Sequence, residues 1–213
     1  PPPEYFIEVE SIIKKYGGLM IIDEVQTGFG RTGKWFGISQ WGIVPDIMTM
    51  AKGMGNGWPI GAFMSTTEIV KSLKPGQHFS TFGGNPVASV AALANIEYIE
   101  NHALAKNAEI LGKYLKDKLL DMMNRHPIMG DVRGMGLMLG VELVKDPKTK
   151  VPAKEEMAKV MELCKDQGLL IGKGGIDGNI IRIKPPLVIT REDCDFALDV
   201  LDRVFTEVEK GMK

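Results

Sequence analysis

A run of four apolar residues, Leu19 to Ile22, constrains the fold of this chain more than any other feature. Before it, Glu4 to Tyr16 carries apolar residues at the spacing of a short amphipathic helix, and a glycine pair closes that helix. The run ends at Asp23 and Glu24 and is typical of a buried strand. This order of helix, glycine turn and buried strand predicts an α/β fold with a mostly parallel sheet.

The pattern of predicted helices and strands changes near residue 101, which predicts a domain boundary. Residues 1–100 would be part of a larger α/β domain, with a long ordered loop over 27–45 and a helix over 86–99. Residues 101–213 would form a small α/β domain with helices over 104–124, over 154–167 and from Thr190, and strands around 134–144, near 169–173 and over 179–184. The last helix is predicted to bury four residues, Phe196, Val200, Val204 and Val208.

Composition and charge exclude several classes of partner. The net charge is −1 with acidic and basic residues intermixed, so we expect neither a nucleic acid nor an anionic membrane as partner. Cys164 and Cys194 are predicted to be ordinary thiols, and the three histidines lack the spacing of a metal site. The chain begins at Pro1 with no initiator methionine or signal peptide, so we interpret it as part of a longer intracellular protein, cytoplasmic or mitochondrial, whose targeting region is absent.

Two residues with distinctive chemistry follow predicted strands. Asp23 ends the first apolar run, and ligands bind outside the carboxyl ends of strands in open α/β sheets. Lys52 ends a second apolar segment, residues 46–51, and enters a glycine-rich stretch. Desolvation there would disfavour its ammonium form and make the neutral amine available for Schiff-base chemistry. By position alone, Asp23 could equally cap the next loop, and Lys52 could simply extend into solvent.

Considered together, these residues match the needs of pyridoxal phosphate. That cofactor requires an amine for its aldehyde, a carboxylate that keeps its pyridine nitrogen protonated, and donors for its phosphate. Lys52 and Asp23 would supply the first two from neighbouring strand ends. Gln26 would hydrogen-bond the ring hydroxyl, and Val25 would pack on the ring face.

Four stretches of the sequence resemble motifs of the class III aminotransferases, which have the type I fold of pyridoxal-phosphate enzymes. These stretches are residues 22–33 (IDEVQTGFGRTG), 45–53 (PDIMTMAKG), 80–86 (STFGGNP) and 181–187 (IRIKPPL). The resemblance covers essentially the whole chain. It implies that Lys52 forms the Schiff base, that Thr81 binds the phosphate of the cofactor in the neighbouring subunit of a homodimer, and that Arg182 receives the substrate carboxylate. Without the resemblance, Thr81 could merely cap its turn, and Arg182 could belong to a structural salt bridge.

Residues 77–79 (QHF) and 130–138 (GDVRGMGLM) are most similar to the alanine–glyoxylate aminotransferase 2 branch, although 4-aminobutyrate, ornithine and β-alanine aminotransferases share most of these motifs. The expected reaction transfers an amino group from alanine, a β-amino acid or an ω-amine to a 2-oxo acid such as glyoxylate or pyruvate. The glycine-containing phosphate turn and the ring-stacking aromatic of the family lie upstream of the matched region. We therefore expect this chain to be the C-terminal half of the enzyme and to be inactive alone. The alternative is a catalytically silent module that dimerises or binds a partner.

Overall fold

The computed structural model describes residues 1–212. The chain divides into two compact units, Pro1–Lys106 and Asn107–Lys213. This division falls a few residues after the boundary predicted near residue 101. The residues just after position 101 pack against the rest of the first unit. Ala105 lies so close to Gly30 that a Cβ added at Gly30 would be 3.3 Å from it. The assignment of the two units to a cofactor-binding domain and a small domain remains a prediction.

The first unit is built on a three-stranded sheet with the strand order β1-β2-β3. Its elements are α1 (Tyr5–Lys15), β1 (Ile21–Asp23), a 3-10 helix (Gly37–Trp41), β2 (Ile47–Met50), a second 3-10 helix (Lys52–Met54), β3 (Ala62–Ser65), α2 (Thr67–Val70) and α3 (Pro86–Asn101). Strands β1 and β2 are parallel, whereas β3 runs antiparallel to β2. The turn between β2 and β3 is too short to hold the crossover that a parallel neighbour would require.

A small core lies beneath this sheet. Its buried members are Met20, Ile38, Ile43 and Met48, and the apolar side of α1 packs against them. The start of β1 is fixed by Asp46, whose Oδ2 accepts the backbone N–H of Met20 at 2.7 Å. Helix α3 begins as predicted, with Asn85 as its N-cap and a proline in its first turn.

The second unit has a four-stranded antiparallel sheet with the order β4-β5-β7-β6. Its elements are α4 (Leu104–Met123), β4 (Met129–Met135), β5 (Met138–Leu143), α5 (Lys154–Asp166), β6 (Gly172–Gly174), β7 (Ile180–Ile183) and α6 (Arg191–Lys210). Strand β4 begins at Met129, earlier than predicted, because the charged Asp131 and Arg133 alternate with the buried Val132 and obscured the strand. The predicted capping box at Thr190 is present, with Asp193 as its partner.

The prediction that Phe196 is buried was wrong, since 49% of this residue is exposed. An α-helix has 3.6 residues per turn, so positions four apart drift by about 40° at each step. The buried face of α6 therefore follows Leu198, Leu201 and Phe205 as well as the predicted Val200, Val204 and Val208. Across the described residues, no helix is both long and apolar enough to cross a lipid bilayer.

Candidate active site

Asp23 is the last residue of β1, and Lys52 follows the end of β2 at the same edge of the first sheet. In the parallel pairing of β1 and β2, Asp23 lies opposite Thr49, and Lys52 comes three residues after Thr49. The carboxyl ends of parallel strands meet at one edge, and this edge is where ligands bind in open α/β sheets. The structure thus places Asp23 and Lys52, the two residues that the sequence singled out, at neighbouring strand ends of one sheet edge.

The Asp23 carboxylate is exposed and stabilises the start of the loop that follows it. Its Oδ1 accepts the backbone N–H of Val25 at 2.9 Å. Asp23 therefore does cap the local turn, as the alternative interpretation held, but a carboxylate has a second oxygen with capacity for another donor. Val25 is half-buried and Gln26 is exposed, both in the turn beyond Asp23.

Lys52 begins the 3-10 turn after β2 and has a left-handed backbone with φ +41°. Its carbonyl accepts the N–H groups of Gly55 at 3.1 Å and Asn56 at 3.0 Å. The expectation that this lysine is desolvated was wrong for the chain itself, because Lys52 is exposed. The turn that follows it is rich in glycine and offers little side-chain bulk to cover the amine.

Glu24 is a residue of this region whose role the sequence did not reveal. It is only 1% exposed and lies directly after Asp23. Its Oε2 accepts the Thr27 hydroxyl at 2.5 Å and the N–H of Gly37 at 2.9 Å, while its Oε1 accepts the N–H of Ile38 at 2.7 Å. Glu24 thereby joins the turn after β1 to the start of the 3-10 helix Gly37–Trp41. Successive side chains of a strand face opposite sides, so an acidic pair at a strand end signals that one member faces inward.

Two glycines allow the loop to close around Glu24. A Cβ at Gly28 would lie 2.9 Å from the carbonyl oxygen of Glu24, and a Cβ at Gly37 would lie 2.8 Å from the Cβ of Thr27. Both distances are shorter than carbon atoms tolerate. The loop that carries Val25 and Gln26 is therefore tightly packed against its own backbone.

Thr81 lies in an exposed bend before α3. The turn there is closed by Asn85, whose Oδ1 accepts the N–H of Ala88 at 2.9 Å and whose Nδ2 donates to the carbonyl of Phe82 at 3.0 Å. Within residues 1–212, no hydrogen bond to the Thr81 hydroxyl is formed. The interpretation of Thr81 as a cap of its own turn therefore has no support in this geometry.

Arg182 belongs to the second unit, on β7, where it pairs with Gly140 of β5 and Gly172 of β6. Its side chain lies across β6, because a Cβ added at Gly174 would be 2.5 Å from the Cδ of Arg182. It borders a largely apolar cavity of about 470 Å³ between the sheet and α6. Among the described residues no carboxylate forms an ion pair with Arg182, so the structural salt bridge considered above is not present.

His126 and the two cysteines are buried. His126 is buried, with its Nε2 2.8 Å from Asp202 and its Nδ1 3.0 Å from Glu209. This contact with His126 is the main cause that holds the pKa of the Asp202 carboxyl below its usual value. Over the described part of the chain, no group of three or more His, Cys, Asp and Glu residues is arranged to hold a metal ion. Burial raises the pKa of the Cys164 and Cys194 thiols to about 11.

Comparisons with known proteins identify the family and the fold of this chain. The sequence profile of the family described as aminotransferase class-III matches residues 1–205. The chain is 50% identical over 200 residues to the mitochondrial alanine–glyoxylate aminotransferase 2 homolog 2 of Arabidopsis thaliana, covering 94% of this chain and 42% of that protein. It is 48% identical over 211 residues to the leucine/methionine racemase of Thermococcus litoralis, covering 99% of this chain and 47% of that protein.

A solved structure of a transaminase from the marine bacterium Virgibacillus superimposes with a TM-score of 0.94 at 35% identity, covering all of this chain and 50% of that one. The fold is therefore that of part of a type I pyridoxal-phosphate enzyme. The chain spans about half the length of the curated relatives it matches. Because the family profile covers nearly all of its residues, this chain belongs to the class III aminotransferases.

Proposed function

We propose that this chain is the C-terminal half of a pyridoxal-phosphate-dependent aminotransferase and that Lys52 carries the cofactor. The observation that supports the proposal best is the parallel pairing of β1 and β2, which sets Asp23 and Lys52 at one sheet edge. Members of the class III family use pyridoxal phosphate. An amine and a carboxylate on adjacent strand ends fit the two chemical requirements of its ring.

Each residue of this edge has a separate proposed task. When bound, pyridoxal phosphate supplies an electron sink for the bond that breaks at the substrate α-carbon. Asp23 would keep a proton on the pyridine nitrogen, Gln26 would donate to the ring hydroxyl, and Val25 would contact the ring face. Lys52 Nζ would form the covalent link to the aldehyde carbon of the cofactor. Once the substrate amine displaces it, Lys52 Nζ would accept the substrate α-proton and return a proton to that cofactor carbon.

Arg182 is proposed to bind the substrate carboxylate. Its guanidinium has no ionic partner within the described residues, and a fixed guanidinium is suited to bidentate carboxylate binding. The substrates would be an amino donor (alanine, a β-amino acid or an ω-amine) and a 2-oxo acid such as glyoxylate or pyruvate. The name of the Arabidopsis relative supports alanine and glyoxylate within this group.

We propose that the full-length protein works as a homodimer and that Thr81 donates to the phosphate of the partner's cofactor. The support is the exposed hydroxyl of Thr81 together with the apolar residues that α3 exposes nearby, Val87, Val90 and Leu93. A two-fold interface would bring both copies of this loop to equivalent positions. The mitochondrial name of the Arabidopsis relative agrees with an intracellular location.

A second candidate function is racemisation of an apolar amino acid. The observation that favours it is the 48% identity to the racemase of Thermococcus litoralis. Lys52 would begin both reactions by removing the α-proton. The two reactions differ in where the proton returns: to the aldehyde carbon of the cofactor in transamination, and to the substrate α-carbon in racemisation.

The products of the full-length protein distinguish these functions. With L-alanine and glyoxylate we expect pyruvate and glycine in equal amounts, and we expect Lys52→Ala to reduce the rate by about a thousandfold or more. D-amino acid formed from L-leucine without a 2-oxo acid would favour racemisation. A full-length protein that retains no cofactor and gives neither product would support the silent module. Residues 1–213 alone should show no turnover at the same concentration.

A further inference from the structure

The turn that presents Lys52 is wound tightly and would not hold its shape unaided. Lys52 and Asn56 both have left-handed backbones, with φ +41° and +45°. Such conformations are unfavourable for most residues other than glycine. A Cβ at Gly55, between them, would lie 2.5 Å from the carbonyl oxygen of Trp58. Neighbouring structure must therefore stabilise the turn.

Asn95 supplies that stabilisation from α3. Its side-chain Nδ2 donates to the carbonyl of Gly53 at 2.7 Å and to the carbonyl of Met54 at 3.2 Å. These are the two residues that directly follow Lys52, and they lie more than forty positions from Asn95 in the sequence. One amide group thus connects a helix to the backbone of the cofactor lysine's turn.

The helix that carries Asn95 is itself firmly placed. Its N-terminus is capped by Asn85, and its buried residues Ala92 and Ile99 lie three positions before and four positions after Asn95. Residues at this spacing share one side of a helix. Asn95 therefore donates from the side of α3 that packs into the first unit. On another side of the turn, a Cβ at Gly53 would meet the side chain of Phe29 at 3.6 Å.

We infer that Asn95 is a positioning residue for Lys52. Asn95 holds the turn in the conformation from which the lysine reacts. This inference rests on the proposed function of Lys52 as the cofactor lysine. The amide is needed specifically as a double donor. A carboxylate of the same shape only accepts hydrogen bonds, so Asn95→Asp would set a negative charge against two carbonyl oxygens. Asn95→Leu would remove both hydrogen bonds without adding a charge.

The experiment uses the full-length protein with Asn95→Asp and Asn95→Leu, and Asn101→Asp as the matched control. Asn101 is an exposed residue at the end of the same helix. Each variant is loaded with pyridoxal phosphate, and the pH midpoint of the visible cofactor band is measured. Each is then reduced with borohydride, and the fraction of Lys52 that carries the label is measured by mass spectrometry. Circular dichroism reports whether the variant is folded.

We expect both Asn95 variants to retain cofactor about tenfold less well, with the aspartate more affected, and to shift the pH midpoint of the band. Asn101→Asp should match the wild type in both measurements. A merely structural role would lower the unfolding midpoint and leave the pH midpoint of the folded, loaded protein unchanged, which would overturn the inference. Wild-type labelling of Lys52 in Asn95→Leu would overturn it as well. Label on a different lysine in the wild type would instead contradict the proposed function of Lys52.

Discussion

Glu24 is a nearly inaccessible carboxylate that accepts hydrogen bonds from three donors. A carboxylate removed from water is costly unless hydrogen bonds replace its hydration. Here the Thr27 hydroxyl and the first N–H groups of the 3-10 helix Gly37–Trp41 provide them. One side chain thus determines the path of the loop beside Asp23.

We predict that Glu24→Gln destabilises the first unit by about 2–3 kcal/mol, because the amide nitrogen cannot accept and leaves a buried N–H or hydroxyl without a partner. Trp41 ends the 3-10 helix, so tryptophan fluorescence during urea unfolding measures the effect. The matched control is Glu97→Gln, which removes the same charge from an exposed site on α3 and should leave the midpoint unchanged. Equal midpoints for the two variants would show that Glu24 does not hold the loop.

The sequence identified the acidic pair at the end of β1 but assigned chemistry only to Asp23. The period of a strand indicates that one of two adjacent acids faces inward. The donors that stabilise Glu24 in its inward position lie at residues 27, 37 and 38, and no local sequence pattern predicts them. The hydrogen bonds of Asn95 escaped prediction for the same reason, since they reach across to Gly53 and Met54.

Strand β6 has a shape that suits the side chain of Arg182 on the neighbouring strand. Gly174 leaves the space that the Cδ and Cγ of Arg182 occupy, at 2.5 and 2.8 Å from the position of a Cβ. Gly172, two residues earlier on the same side of the strand, leaves ordinary contact distances of 3.6 Å and more. A methyl group at Gly174 would therefore displace the Arg182 side chain, whereas a methyl group at Gly172 would not.

We predict that Gly174→Ala moves the Arg182 guanidinium and raises the KM of the full-length enzyme for its carboxylate substrates by about tenfold, with a smaller change in kcat. Gly172→Ala is the matched control and should remain within about twofold of the wild type. Steady-state kinetics with amino and keto substrates measure both. An unchanged KM in Gly174→Ala would mean that the position of Arg182 does not set substrate affinity.

At the scale of elements, local signals were the most predictable. The start of α6 at Thr190 and the start of α3 at Asn85 were both evident from capping residues, because a cap is formed within a few positions. Strand β3, Ala62–Ser65, was not anticipated, since it is short and owes its place to pairing with β2. Phe196 was wrongly predicted to be buried, because residues spaced four apart move gradually around the helix over several turns.

At the scale of the whole molecule, the chain carries four motifs of the class III family and leaves Lys52, Asp23 and Thr81 exposed. It also exposes large apolar residues throughout the first unit, such as Trp58, Phe79 and Phe82. Under the proposed function, the rest of the full-length chain and the partner subunit would cover Lys52. The sequence predicted a desolvated Lys52, whereas the described residues leave it exposed.

Identification of the lysine that carries the cofactor tests the central claim most directly. The full-length protein is loaded with pyridoxal phosphate, reduced with borohydride, digested and examined by mass spectrometry. We predict a label on the peptide that contains Lys52, full labelling in the control Lys71→Ala, whose lysine is exposed beyond α2, and no label in Lys52→Ala. Specific labelling of another lysine, or a Lys52→Ala protein that is still labelled and active, would contradict the account.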